Sequence, residues 1–551
     1  MVGPGTLNLG AFSDTVGTFT LNSGTLDGTG TLIASTYDLN GGLVKANLGA
    51  GTLNQLSNTT TLQGTSGALD VNILGGTLAL GGSDRLANNA TVTVESAGTL
   101  DVRVSSDVVE NLILNGGTIN GSGTLTATIY NLAGGTVNAK LGTGTLNQLS
   151  GTTLLNGTSA AHEVNITGGT LALGASARLS VGSAVTLGAG TLDLGAFSDT
   201  VGSFTLAGGT LAGTGTLSAA SYSLYGGDIH ANLGTGTLTQ VSGTTNLNGS
   251  SAATRVNVNG GTLALGASNR LADSADLRIA GGTLNLGTFS DSVGSFLLDG
   301  GILDGSGTLT ATTYKLLGGT VNANLGTGSL FQTASNTLLN GKSAADYVNV
   351  FGGTLTLGSS NLLSDSSILR VGTGTLDLGA FDDKVNTLRL NKGTIVGTGA
   401  LTASTYRLNG GTIEADLGKG TLKQLGGRTL FTGSSAARRV KITDGTLDLG
   451  KTGLLADKAK VFVSGTAKLD AGAADDVVAS YIQEDRGKLT GKGELTVDKF
   501  AKLTGGTVSG SLTGPIAVQG DVKVTGDLAG SLKVNRGTLT LKGDAAANTS
   551  V

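Results

Sequence analysis

Cysteine and tryptophan are absent from the 551 residues, proline and histidine occur twice each, and methionine once. Without cysteine there can be no disulfide staple and no thiolate metal site, and two histidines alone make a poor zinc site. This leaves the compartment open, and it is compatible with a chain that crosses a membrane unfolded. Two prolines, with glycine not at every third position, exclude collagen. Charged residues make up 13 % and aromatics 4 %, the former about half the usual share. No stretch approaches the length of a transmembrane helix. Met1 is followed by Val2, Gly3, Pro4 and Gly5, with neither the basic start nor the apolar run of a secretory signal. An exported protein that reads this way is expected to be a processed or excised piece of a longer chain.

Glycine is abundant instead, 95 of 551 residues, with Thr, Ser and Asn carrying the polarity. Disorder needs few regularly placed apolar residues and usually a high net charge. Here 38 % of residues are hydrophobic, the net charge is −4, and Leu and Val recur at fixed places. One stretch of about 92 residues is repeated six times. Its marker, residues 190–202, reads Gly-Thr-Leu-Asp-Leu-Gly-Ala-Phe-Ser-Asp-Thr-Val-Gly, with equivalents beginning at Gly5, Gly98, Gly282, Gly374 and Gly465. A Tyr-x-Leu element gives the same period at Tyr37, Tyr130, Tyr222, Tyr314 and Tyr406, and Phe500 is expected to take that place in the last copy.

Within one copy, Leu192 and Leu194 alternate with Thr191 and Asp193, Phe204 and Leu206 with Ser203 and Thr205, and Val256 and Val258 with Asn257 and Asn259. Alternation with period two over short runs predicts strands with one buried face. Gly-Gly, Asn-Gly and Ser-Gly pairs between them are turn chemistry. Strand-opening signals at Gly190, Gly209, Gly227, Gly236, Thr244 and Gly261 give about five coils per copy, each of roughly 17 to 21 residues. The fold expected is all-β: an elongated parallel β-helix (β-solenoid) of about 30 coils built from six ~92-residue repeats, on the order of 140 Å long. Residues 1–464 would form five regular copies, and residues 465–551 a divergent sixth copy serving as a charged C-terminal cap.

Comparing copies separates inside from outside. The second Leu of the marker (Leu9, Leu194, Leu286, Leu378) becomes Val102 in the second copy and is read as Leu469 in the sixth, a core column. In that sixth copy Ala467 is read in place of the first Leu, and Ala473 in place of Phe with Asp475 aligned on Asp199. Leu69, His162, Thr254, Asp346 and Arg438 fill one column and share no chemistry, so that column should face water. Residues 374–551 hold 23 of the 34 basic and 18 of the 38 acidic residues. We read that end as a cap, with a basic patch for acidic polymers as the rival.

Gly-Gly-Thr-Leu-Ala-Leu-Gly at 168–174 and 260–266, Gly-Thr-Leu-Asp-Leu-Gly at 190–195 and Gly-Ser-Gly-Thr-Leu-Thr at 121–126 and 305–310 resemble the passenger-associated β-strand repeats of bacterial autotransporters and filamentous-haemagglutinin-like surface proteins. The resemblance covers essentially the whole chain and weakens after about residue 450. It implies a long parallel β-helix displayed on Gram-negative cells, in adhesion, aggregation or biofilm roles. The family pattern also implies a signal peptide and a C-terminal translocating barrel, which are expected to lie outside this stretch.

Catalysis finds little support. The acids of the marker, Asp14, Asp199, Asp291 and Asp383, recur one copy apart, roughly 24 Å along a stack, too far to act as a pair. They are expected to cap turns. His162 and His230 sit in variable columns. Gly341-Lys342-Ser343 resembles the end of a phosphate loop, but Asn336 stands where its first Gly belongs. Gly81-Gly82-Ser83-Asp84 approaches a calcium-binding nonapeptide only once. A Thr array for ice or crystalline polysaccharide would need Thr-x-Thr on every coil. The irregular stretch 470–500, with Asp475, Asp476, Glu484, Asp485, Arg486 and Lys488, is the one place where a polysaccharide-cleaving groove could lie; a solvated cap is expected there.

The function expected is a non-catalytic extracellular rod, a bacterial surface adhesin or self-associating matrix or filament protein, at the cell surface of a Gram-negative bacterium. The alternative is an extracellular polysaccharide-binding or polysaccharide-cleaving β-helix. No catalytic residue, metal or cofactor is expected. The partners would be other copies of itself, side by side or end to end, and host or matrix glycans. Nucleic acid is not expected, and contact with the outer membrane would come only through an anchor or translocator.

Overall fold

Period-two alternation becomes strand throughout. The computed structural model describes residues 1–542, among which there are strands, turns and bends but no helix. The chain divides into two compact units, Met1–Ala275 and Asp276–Val551. Each is a parallel β-solenoid, and together they carry about 30 coils. Residues 543–551 of the expected cap lie outside the described residues.

One coil shows how the chain closes on itself. The strand Thr216–Leu224 is bent, so that Leu217 lies opposite Leu233 while Tyr222 lies opposite Leu238. The short strand Gly227–Ile229 follows and pairs with Thr244–Leu247. Three strand segments therefore make a turn of the helix, and each hydrogen-bonds to its counterpart one coil on. The coil is 16 residues long where Tyr222 faces Leu238 and 21 where Leu171 faces Leu192. Register places like on like. Leu192, Leu211, Ile229, Leu247 and Leu265 stack in one interior column, each at most 5 % exposed. Each such side chain contributes about 1.5–3 kcal/mol by leaving water. The variable column behaves as its chemistry requires: Leu69, His162, Thr254, Asp346 and Arg438 are all exposed.

The corners need glycine for two separate reasons. Gly227 has φ of 117°, where an L side chain is strained. At Gly215 a Cβ would sit 1.6 Å from the Phe197 carbonyl oxygen, so the coils could not approach.

The tyrosines supply a device that alternation does not reveal. Tyr222 is fully buried, and its hydroxyl fills the bend of its own strand. It accepts from Ala219 N–H at 2.8 Å and donates toward the Leu217 carbonyl at 3.0 Å. The same pair of bonds recurs at Tyr37, Tyr130, Tyr314 and Tyr406. Burial pushes the Tyr130 and Tyr406 hydroxyls up to about 12, so they stay neutral donors at any physiological pH. Buried glutamines do similar work at another corner. Gln148 Nε2 donates to the carbonyls of Ser150 and Gly151, and Gln240 to those of Ser242 and Gly243.

The last copy departs from the sequence reading in three places. Phe500 does not take the tyrosine position: it is 44 % exposed, and Ala501 beside it points inward, opposite Tyr481. The tyrosine has moved one coil toward the N-terminus, into the column position held by Phe204 and Leu388 in earlier copies. There its hydroxyl donates to Gln483 Oε1 at 2.7 Å. A register shift between Val478 and Ser480 turns Phe500 outward. The marker is also displaced. Leu469, opposite Leu447, takes the place of the first Leu, Ala471 that of the second, and Asp476 rather than Asp475 that of Asp199. The marker's Phe is not a core residue, since Phe197 is 38 % exposed; this is why Ser105 and Ala474 can replace it.

One corner stores strain. Asp84, Asn269, Asn361 and Gly453 adopt left-handed φ at equivalent turns, and Ala177 does the same with φ of 55°. Alanine pays a steric penalty there that asparagine largely avoids. Ala177→Asn should therefore raise stability by on the order of 0.5–1 kcal/mol. Tyr222→Phe should lower it by about 1–3 kcal/mol, because a buried amide and carbonyl lose their partner. Urea unfolding of the two variants checks both signs.

Candidate functional site

The recurring acids are built into the fold. Asp199 is 3 % exposed at the start of its strand. Its Oδ2 accepts from the amides of Arg178 and Leu179, at 2.7 and 3.1 Å, and its Oδ1 from Thr200 N–H at 2.7 Å. One carboxylate thus ties the loop of the previous coil to its own. Asp383 does so with Leu362, Leu363 and Lys384. Asp14 and Asp291 accept from the following amides, of Thr15 and Ser292. Two further members escaped the sequence reading, Asp107 on Arg85, Leu86 and Val108 and Asp476 on Leu454, Leu455 and Val477. A signal for Asp107 was present: the Ser106-Asp107 pair stands nine residues after Gly98, although Phe and Gly of the marker are lost.

Two opposed influences act on these carboxyls. Burial raises them, and the donated amides lower them. Burial prevails at Asp199, Asp383 and Asp476, and at Asp107 it lifts the value from 3.8 to about 6.

The remaining suspects also resolve into structure. His162 and His230 are exposed in their variable columns. Ser343 is buried and bridges Leu325 and Leu363 in the ladder, while Lys342 N–H donates to Asn324 Oδ1 at 3.0 Å, so this corner is a rung and not a phosphate cradle. Asp84 holds a left-handed turn, donating its N–H to the Ser106 carbonyl. Asp475 accepts from Glu494 N–H at 2.8 Å, and Asp485 from Gly465 N–H at 3.3 Å. Among the described residues no group of three or more His, Cys, Asp or Glu side chains converges on a metal position. Thr152, Thr170, Thr191 and Thr210 stack in register, but two residues on stand Leu154, Ala172, Asp193 and Ala212. That stack is one Thr wide.

What the outer faces offer is continuity along the stack. Asn54 donates to Asp38 at 2.9 Å and Asn72 to Asn54 at 3.1 Å. Asn147 donates to Asn131 at 3.0 Å and Asn165 to Asn147 at 3.2 Å. In the second unit Asn322 donates to Asp304 and Asn340 to Asn322, at 2.9 and 2.8 Å. These amide ladders present a regular row of hydrogen-bonding groups, one per coil, to whatever lies against the face.

A curated relative fits this picture. The adhesin BmaC autotransporter of Brucella suis biovar 1 (strain 1330) is 27 % identical over 540 residues, an alignment covering 90 % of this chain and 15 % of that protein. The chain is autotransporter-passenger-like. It spans 15 % of the length of the curated relative it matches. No family profile matches the chain, and no solved structure matches it. The passenger-like resemblance read from Gly-Thr-Leu-Asp-Leu-Gly motifs is thus carried by both a matched sequence and the β-solenoid fold.

The clamp of this passenger-like chain has a pH signature. Because the Asp107 carboxyl titrates at about 6 in the fold against an ordinary 3.8, the folded state holds that proton more tightly than the unfolded chain. Its contribution is fully present below about pH 3.8 and is lost as pH rises through about 6. A side-chain carboxyl resonance with a midpoint near 6, absent from Asp107→Asn, is the expected observation. A midpoint below 4 would show that the three amides outweigh burial.

Proposed function

We propose that this chain is a non-catalytic stretch of a surface adhesin of a Gram-negative bacterium. It holds a repeated outer face away from the cell and engages partners by many weak contacts along that face. The observation that carries this reading is the pairing of in-register outward ladders, such as Asn131, Asn147 and Asn165, with similarity to a protein named as an adhesin autotransporter. Repeated contacts multiply, since each one after the first is made at high effective concentration. Side-by-side association of copies uses the same faces, and matrix or filament assembly follows from it. The acids best suited to polysaccharide cleavage support no second reading: Asp475 and Asp476 accept from backbone amides.

Displaying the chain on a non-adherent Gram-negative strain should cause cells to aggregate or attach to a glycan-coated surface. Removing residues 190–373, two whole periods, should weaken both while leaving display unchanged. Aggregation and attachment that persist undiminished would count against contacts distributed along the face.

A further inference from the structure

On one outward face of the second unit, Arg370, Arg389, Arg407, Lys423 and Lys441 lie directly opposite one another on five consecutive coils. Four steps between strands make this ladder about 19 Å long, with one cation every ~4.8 Å. Like charges placed directly opposite destabilise a sheet, so the fold alone gives no reason for them. Even in residues 374–551, where 23 of 178 positions are basic, about one in eight, composition alone does not produce five in succession. The equivalent positions two copies earlier are Thr186, Thr205, Ser223, Thr239 and Asn257, stacked in the same register and uncharged. The scaffold therefore accepts neutral residues at all five places.

Among the described residues no carboxylate lies within salt-bridge distance of the row. Other basic side chains of this unit find acids: Lys384 meets Asp365 and Arg428 meets Asp448. None of the five ladder residues makes an ion pair. Arg370 lies over the Tyr347 ring, 5.5 Å from its centroid, and the Nε of Arg389 is buried without an acceptor. The flanking columns are uncharged over the middle of the row. Thr387, Thr405 and Thr421 run along one side, and Asn391 and Asn409, the latter donating to the former at 2.8 Å, along the other. At the last rung Arg439, and on the next coil Lys460 opposite it, widen the positive strip.

We propose that this ladder binds a linear anionic polysaccharide, carboxylated or sulfated, lying along the stack. The proposal rests on the adhesin reading above and names the ligand class for one face. A sugar residue in an extended chain is about as long as one rung, ~4.8 Å, so a polymer with an anionic group on most sugars would meet a cation at each coil. The Thr and Asn rails supply partners for the sugar hydroxyls and amides. A single-stranded nucleic acid would instead call for aromatic platforms between the cations, and the rungs from Arg389 to Lys423 carry none on these columns.

The test uses the purified chain with heparin and polygalacturonate as sulfated and carboxylated probes, and a single-stranded oligonucleotide and neutral dextran as controls. The variant carries Arg370→Thr, Arg389→Thr, Arg407→Ser, Lys423→Thr and Lys441→Asn together, the chain's own residues at the equivalent rungs. The intact chain should bind at least one acidic polysaccharide, more weakly as salt rises, because binding releases counterions. The variant should lose about tenfold or more in affinity with an unchanged circular dichroism spectrum. A double variant, Arg389→Gln with Lys423→Gln, should lose affinity in the same direction and guards against misfolding of the fivefold change. No binding of either polysaccharide by the intact chain, undiminished affinity in both variants, or tighter binding of the oligonucleotide would each overturn the proposal. Cells displaying the intact chain that neither aggregate nor attach would sink the adhesin reading separately, whatever the purified chain binds.

Discussion

Parallel backbone hydrogen bonding between successive coils, in register, is the constraint from which the rest follows. It sets the spacing, puts residue on residue, and converts each position of the repeat into a column. Inside, a column must be apolar and narrow, which Leu192, Leu211 and Ile229 satisfy. Outside, a column can become a row of like chemistry, and the character of such a row is decided by what it can do collectively. An asparagine row bonds to itself, as at Asn131, Asn147 and Asn165. A row of arginine and lysine cannot.

The corners are where parallel pairing alone leaves groups unsatisfied, and polar side chains close them. Tyr222 fills a bend with its hydroxyl, Gln240 donates to two turn carbonyls, and Asp199 gathers three amides from two coils. All three are buried, yet each serves the backbone and not a ligand. An acid raised by burial is often a catalytic candidate. Here the recurrence of the same geometry at Asp107, Asp383 and Asp476 identifies it as a structural clamp.

Much of this was legible in the sequence. Period-two alternation around Leu192, Phe204 and Val256 marked strands and their buried faces. The mixed column of Leu69, His162 and Arg438 marked an outer position, and it is exposed. What could not be read was the partner along the axis. Coils vary from 15 residues, where Ala501 faces Ile516, to 22, where Leu447 faces Leu469, so the residue above a given side chain does not lie at a fixed offset. That is why the Asp clamp, which reaches 20 to 22 residues back, was seen only as a local turn. It is also why the basic residues from Arg370 to Lys441 could not be seen as one row: the basic-rich end was read as a cap, with a basic patch only as the rival. In the sixth copy Phe500 was given the tyrosine's place by its spacing, whereas a shift of register turns it out.

The displaced tyrosine carries a lesson about inheritance in stacked folds. Tyr481 and Gln483 sit together in one storey, bonded to each other, whereas Tyr222 and Gln240 occupy successive storeys. The lumen is a shared space, and a bulky tenant can change floors provided its polar atom finds company there. Duplicated copies can therefore drift by exchanging occupants up and down the shaft, leaving the walls intact while erasing the match between equivalent positions.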